Sequence, residues 1–153
     1  MIQRIQSIYL LIVTIITSIL FVTPLNILRL PNAEIKVSIL GLFSVINSES
    51  TLITPLYPLL ALTSIIIIIA FVSIFLFKNR KIQMRLSLYN SVLGLSLSFI
   101  SIYFITQEAN INHTQISFSI GLLIPIIGAI FSFLAFRAIN KDDKLIRSVD
   151  RIR

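Results

Sequence analysis

Residues 56–86, LYPLLALTSIIIIIAFVSIFLFKNRKIQMRL, decide the fold predicted for this chain. Positions 56–77 carry no charge, and as a helix they are long enough to cross the roughly 30 Å hydrocarbon core of a bilayer. Cations next to an apolar span mark its cytoplasmic side. Four of them follow this run: Lys78, Arg80, Lys81 and Arg85. The stretch therefore predicts a membrane-spanning helix that ends in a tight basic turn and leads into an antiparallel partner.

Three further apolar runs, at 5–22, 86–106 and 117–138, predict three more membrane-spanning helices; the first two are uncharged, and the third carries only Arg137, next to its end. Pro125 lies inside the last run and predicts a kink there. A secretory signal peptide is the alternative interpretation of the first run, but Pro24 stands where its cleavage site would fall. The sequence thus predicts an all-α membrane protein, with residues 1–153 forming one domain built as a four-transmembrane-helix bundle.

Composition and charge placement give the predicted orientation. The chain is 56% hydrophobic and 12% charged, whereas soluble proteins have about 25% charged residues. Of its 13 Lys and Arg residues, only Arg29 and Lys36 lie outside three patches at the two ends and in the basic turn. The net charge of +7 therefore reflects the positive-inside rule rather than a nucleic-acid surface. Both termini are expected on the cytoplasmic side, an N-in/C-in topology.

The only long link between the runs, residues 23–54, is expected on the outer side. Positions 34–39 alternate polar and apolar residues, and positions 42–46 are rich in β-formers. This pattern predicts a small β-hairpin on the membrane surface. An irregular loop is the alternative.

Small residues form a stripe on each of the last two predicted helices, at helical spacing. Such stripes allow helix backbones to approach closely in lipid, where no hydrophobic force drives helix association. We expect the two helices to pack through them; a substrate groove lined by hydroxyl groups is the alternative. The predicted packing residues are Ser91, Gly94 and Ser98 in the third helix, and Gly121, Pro125, Gly128 and Ser132 in the fourth.

Nothing in the sequence indicates catalysis. No charged residue or histidine lies deep in a predicted span, although proton relays and carriers of charged substrates usually need one. His113 stands alone in a polar link, the chain has no cysteine, and Glu34 and Glu49 are expected to be ordinary solvated charges. The sequence predicts no catalytic, cofactor-binding or metal-binding residue, no cofactor and no enzyme.

The polar tail, residues 139–153, predicts a cytoplasmic amphipathic helix capped by Asn140, with Asp142 and Asp143 in its first turn. Together with the basic turn it is expected to form one docking surface. Anionic lipid headgroups and an acidic face of another membrane subunit are the expected partners, and ribosomal RNA is the least favoured. A plain topology signal is the alternative. The surface comprises Lys78, Arg80, Lys81, Arg85, Leu145, Arg147, Val149, Arg151, Ile152 and Arg153.

Three segments together carry a resemblance: residues 1–6 (MIQRIQ), 80–86 (RKIQMRL) and 137–153 (RAINKDDKLIRSVDRIR). With them the chain resembles a family of small four-helix inner-membrane proteins of Bacteroidota with no known function. The resemblance implies a bacterial inner membrane and no activity. The sequence therefore favours a non-catalytic accessory or assembly subunit of a larger membrane complex. A small transporter or lipid-binding membrane protein is the alternative.

Overall fold

The computed structural model describes residues 3–30, 33–46, 49–114, 116 and 119–150, with side chains except at positions 3, 4, 78 and 146–150. Four helices are present in these ranges: α1 (Gln3–Ile19), α2 (Tyr57–Phe75), α3 (Arg80–Ile111) and α4 (Leu123–Asp150). Between α1 and α2 lie four strands: β1 (Asn26–Arg29), β2 (Glu34–Val37), β3 (Gly41–Ile46) and β4 (Glu49–Pro55). Short 3-10 turns at Leu76–Lys78 and Ile120–Leu122 precede α3 and α4.

Each helix packs against two others. Helix α1 contacts α2 and α4, and α3 contacts the same two helices from the other side. Leu10, Leu59 and Leu97 are completely buried between helices, while Ile68 and Phe99 point outward and are more than half exposed. A helix that is apolar on its outer face as well as its inner face is typical of a lipid environment.

The expectation of an all-α fold with four membrane-spanning helices is wrong on both counts. The chain contains a four-stranded antiparallel sheet, and three helices of the described chain are long and apolar enough to cross a membrane. The apolar part of α1, Ile5–Ile19, falls short because its 15 residues rise only about 22 Å. Leu20 to Val22 continue the apolar run but form turns, with backbone hydrogen bonds back to Thr17, Ser18 and Ile19.

The sheet is a meander with strand order β1-β2-β3-β4. Its β1–β2 half is inserted into the core: Leu28, Ile35 and Val37 share one buried cluster with Leu59 and Ile105 of the helices. The β3–β4 hairpin projects from this half, and every residue of β4 is exposed. The long link is therefore larger than the predicted hairpin, and one half of it covers one end of the helices.

Helix α4 is continuous from Leu123 to Asp150, so the tail is an extension of it and not a separate helix capped by Asn140. Pro125 occupies the third position of α4, where its missing N–H would have no partner in the helix, so the kink expected there has no cause. The 28 residues of α4 rise about 42 Å, more than the hydrocarbon thickness. Its last turns therefore extend beyond the apolar part of the helices.

Candidate functional site

The cations of the α2–α3 turn and the extended end of α4 lie at the same end of the molecule, which we call the basic end. Arg80 and Lys81 open α3 and, with Asn79 and Ile82, line a depression of about 470 Å³ whose opposite wall includes Asp143 of α4. A carboxylate across from two cations lowers the net charge of this depression without removing it. The structure thus joins the basic turn to the end of α4, although these segments are about sixty positions apart.

The residues predicted to form one docking surface do not all share this depression. Arg85 is exposed one turn further along α3, and Leu145 lines a different groove together with Ile5 and Tyr9 of α1. The other members lie outside the described side chains: Lys78, Arg147, Val149, Arg151, Ile152 and Arg153.

A second basic group was not singled out in the sequence analysis. Arg137, Lys141 and Lys144 are exposed on successive turns of α4 and line a pocket of about 400 Å³. Their spacing of four and three residues is the helical signal that could have identified them. No described carboxylate forms an ion pair with any of the three; the ion pair found in the described residues joins Arg29 and Glu34 at 3.9 Å.

A buried polar pair fixes α1 against α4 near this second group. The Gln6 side-chain amide donates to the Asp142 carboxylate at 2.6 Å, and the two residues are only 4% and 7% exposed. Sequence reasoning placed Asp142 in the first turn of a surface helix and gave Gln6 no role. Because the partners are 136 positions apart, no local pattern could have paired them.

We expect Gln6→Leu to lower the unfolding free energy of the detergent-solubilised protein by about 1–3 kcal/mol, because the buried Asp142 carboxylate loses its donor. Replacing both partners in Gln6→Leu/Asp142→Leu should recover most of this loss, since no buried polar group then remains unsatisfied. Thermal unfolding in mild detergent measures both effects. A double variant no more stable than Gln6→Leu would contradict the assigned pairing.

Further buried polar groups join the other helices. The Gln83 amide of α3 donates to the Ser73 carbonyl of α2 at 3.0 Å, and the Asn90 amide donates to Ser132 of α4 at 3.3 Å. The buried Asn90 carbonyl oxygen has no hydrogen-bond partner among the residues that the structure describes. These bonds cross helix pairs, as expected of polar side chains that hold membrane helices together.

The predicted packing residues divide between several contacts. Gly94 of α3 lies against Ala129 of α4, where an added Cβ would sit 3.1 Å from the Ala129 Cβ. The Ser91 hydroxyl donates to the Ala129 carbonyl at 3.0 Å. Ser98 is buried beside them, with its hydroxyl donating to the Gly94 carbonyl, and Ser132 contacts α3 through Asn90.

At the two remaining glycines of the predicted set, Gly121 in the 3-10 turn before α4 and Gly128 in α4, an added Cβ would meet elements other than α3. Gly128 faces Thr17 of α1, and Gly121 lies against the backbone of Pro24 and Leu25, which link α1 to the sheet. Pro125 belongs to the first turn of α4. The α3–α4 contact is therefore centred on Gly94 and Ala129, a residue outside the predicted set.

The groove between α3 and α4 is apolar. It has a volume of about 250 Å³ and is lined by Ser91, Leu95, Ala129, Ile130 and Phe133. Its one hydroxyl group already donates to the Ala129 carbonyl. The arrangement offers no ring of free hydroxyl groups to a polar substrate. Among the residues with described side chains, no cluster of three or more His, Asp or Glu residues could hold a metal ion.

Comparison with known proteins gives one result. A family model described as Domain of unknown function (DUF4293) matches residues 2–152, nearly the whole chain. No curated protein and no solved structure matches the chain.

Proposed function

The chain belongs to the DUF4293 family, and we propose that it is an integral protein of a bacterial inner membrane, in Bacteroidota. In our proposal it is a non-catalytic accessory or assembly subunit of a larger membrane complex. Its basic end faces the cytoplasm, and the depression at Arg80 and Lys81 is the part that docks the partner.

Three helices support the membrane part of the proposal. The most apolar 18 residues of each helix have a mean hydropathy of 2.7 in Tyr57–Phe75, 1.6 in Arg80–Ile111 and 2.2 in Ile120–Leu145. At most 39% of such a stretch is buried inside the protein. Most of the apolar surface of these helices therefore faces outward and needs lipid to cover it. All the described cations except Arg29 and Lys36 of the sheet sit at one end of the helices, as the positive-inside rule requires of a cytoplasmic face.

The docking role rests on one observation, the depression of about 470 Å³ that α3 and α4 build together. Helix α4 extends beyond the apolar part of the helices and places Asp143 at the edge of this depression. Cations that served only as a topology signal would not need a second helix beside them. The two cations Arg80 and Lys81 favour an acidic face of another membrane subunit as the partner.

Membrane fractionation followed by pull-down in mild detergent tests the proposal. We expect the protein to stay in the membrane at alkaline pH and to retain a defined set of membrane subunits. The variant Arg80→Gln/Lys81→Gln/Arg85→Gln should lose that set, because it removes both cations of the depression and the exposed cation one turn further along α3. A variant with Arg137→Gln/Lys141→Gln/Lys144→Gln removes the same charge elsewhere and should keep it.

The topology of both variants must be verified, because the removed cations also act as topology signals. The natural chain has no cysteine, so Ser50→Cys introduces a single thiol in the exposed strand β4. We expect an impermeant thiol reagent to label it in spheroplasts without lysis. Release of the protein at alkaline pH, or equal partner retention by both variants, would refute the proposed role.

A further inference from the structure

We propose that the α1–α4 face at the basic end binds one anionic phospholipid. Its phosphate lies at Arg137, Lys141 and Lys144, and one acyl chain lies along the neighbouring apolar groove at Ile5, Tyr9 and Leu134. The inference rests on the proposed membrane location and adds a specific lipid site to it.

The phosphate site is a pocket of about 400 Å³ whose charged lining consists of three cations. Neither of the two nearest acids lines this pocket: Asp142 is buried, accepts a hydrogen bond from Gln6 and borders the neighbouring groove, and Asp143 lines the depression with Arg80 and Lys81. The three cations are exposed, and none has a described carboxylate partner. Phosphate oxygens accept the strong charge-assisted hydrogen bonds that such cations donate.

The acyl site is a separate groove of about 330 Å³ between α1 and α4. Ile5 and Leu145 form part of its wall and are 49% and 48% exposed, so apolar surface is open for contact there. Tyr9 lines the groove and lies against Phe131, with ring centroids 6.1 Å apart. Tyrosine is enriched at the headgroup region of a bilayer, near the end of a membrane-spanning helix.

The two sites are continuous, because Ala138 and Lys141 line both of them. A cationic pocket that opens directly into an apolar groove matches a ligand with a phosphate at one end and a hydrocarbon chain at the other. Arg137 lies at the end of the uncharged run of α4, where a helix leaves the hydrocarbon layer. Anionic headgroups of the same membrane are present at that depth, so a phospholipid fits this site better than a peptide.

Thermal unfolding of the purified full chain in mild detergent, with added lipid, provides the test. Phosphatidylglycerol should raise the unfolding midpoint of the wild type more than phosphatidylcholine does. The variant Arg137→Gln/Lys141→Gln/Lys144→Gln should bind phosphatidylglycerol on the order of 100-fold more weakly, at roughly fivefold for each cation near an anionic headgroup. The charge-matched variant Arg80→Gln/Lys81→Gln/Arg85→Gln should retain the wild-type response. An equal loss in both variants would show diffuse electrostatic attraction and overturn the site.

The acyl groove is tested separately. Ile5→Ser/Leu145→Ser replaces two half-exposed side chains, so the fold should persist while phosphatidylglycerol binding weakens about tenfold. Glycerol 3-phosphate and inorganic phosphate at the same concentration should give no comparable stabilisation. If either stabilises as well as phosphatidylglycerol, the site binds a free anion and the lipid assignment is wrong.

The proposed function and this inference can fail independently. A chain released from the membrane at alkaline pH refutes the membrane location. A chain that stays in the membrane, but shows no preference for phosphatidylglycerol that depends on the α4 cations, refutes only the lipid site.

Discussion

Gly121→Ala is expected to lower the thermal unfolding midpoint of the detergent-solubilised protein by about 6–12 °C, a loss of roughly 3 kcal/mol. An added Cβ would lie 2.8 Å from the Leu25 Cα and 2.9 Å from the Leu25 carbonyl oxygen, and closer still to the Pro24 carbonyl oxygen. These are backbone atoms, so no side-chain rotation can relieve the overlap. The link from α1 to the sheet would have to move away from the start of α4.

The matched control is Gly128→Ala in the same chain. An added Cβ there would lie 3.4 Å from the Thr17 hydroxyl oxygen, an ordinary contact distance. Alanine also has a higher helix propensity than glycine by about 1 kcal/mol, so Gly128→Ala should be neutral or stabilising. Equal unfolding midpoints for Gly121→Ala and the wild type would show that the link does not lie on Gly121.

This contact matters because it positions the sheet. Leu25 is part of the contact, and its N–H donates to the Val37 carbonyl at 2.7 Å, beside the Asn26–Val37 pair at the end of the β1–β2 ladder. Leu25 and Leu28 are completely buried in the cluster that α2 and α3 share. Moving the link would therefore disturb the buried half of the sheet, whereas the exposed strand β4 should be affected less.

Sequence patterns predicted α2 well because its two ends carry strong local signals. Prolines precede or open the helix, and cations follow it, so the predicted range 56–77 differs little from Tyr57–Phe75. Helix α3 begins at Arg80 rather than at 86, since a helix can continue into a charged segment that a search for uncharged apolar runs leaves out. Buried Gln83, bonded to Ser73, belongs to this extension.

The end of α1 and the sheet could not be predicted for another reason. Leu20 is buried in one cluster with residues of the sheet, which explains why it is apolar although it lies in a turn. Because an apolar turn has the same hydropathy as an apolar helix, the sequence could not show where α1 ends. The alternation at 34–39 indicated a strand correctly. The number of strands depends on how they pair, and pairing partners such as Asn26 and Val37 are not encoded in local periodicity.

The candidate sites also combine residues that the sequence shows with contacts that it does not show. The cations were visible in the sequence, but their grouping was not, because it depends on which helix faces which. Asp143 lies with the turn at Arg80, while Lys141 and Leu145 lie with α1. Helical spacing assigns the α3-facing and the α1-facing residues of the tail only when the tail is known to be a continuation of α4.

Gly94→Leu is expected to lower the stability of the protein by about 3 kcal/mol or more, because α3 packs tightly against Ala129 of α4 there. Even a methyl group at Gly94 would lie 3.1 Å from the Ala129 Cβ and 3.3 Å from the Ala129 Cα. A leucine would separate the helices and break the Ser91 hydrogen bond to the Ala129 carbonyl. In lipid, this close packing is itself the main force between helices, since no hydrophobic gain replaces it.

Ser96→Leu is the control on the same helix. Ser96 donates to the Val92 carbonyl on an exposed face, so a leucine there should contact lipid and leave stability unchanged. A compensating pair gives the sharpest test: Ala129→Gly should restore most of the stability that the smaller change Gly94→Ala removes, because the methyl group is moved from α4 to α3. We expect a coupling energy of about 0.5–3 kcal/mol between the two positions in thermal unfolding. Purely additive effects would mean that Gly94 and Ala129 do not meet, and the contact between α3 and α4 would have to be placed elsewhere.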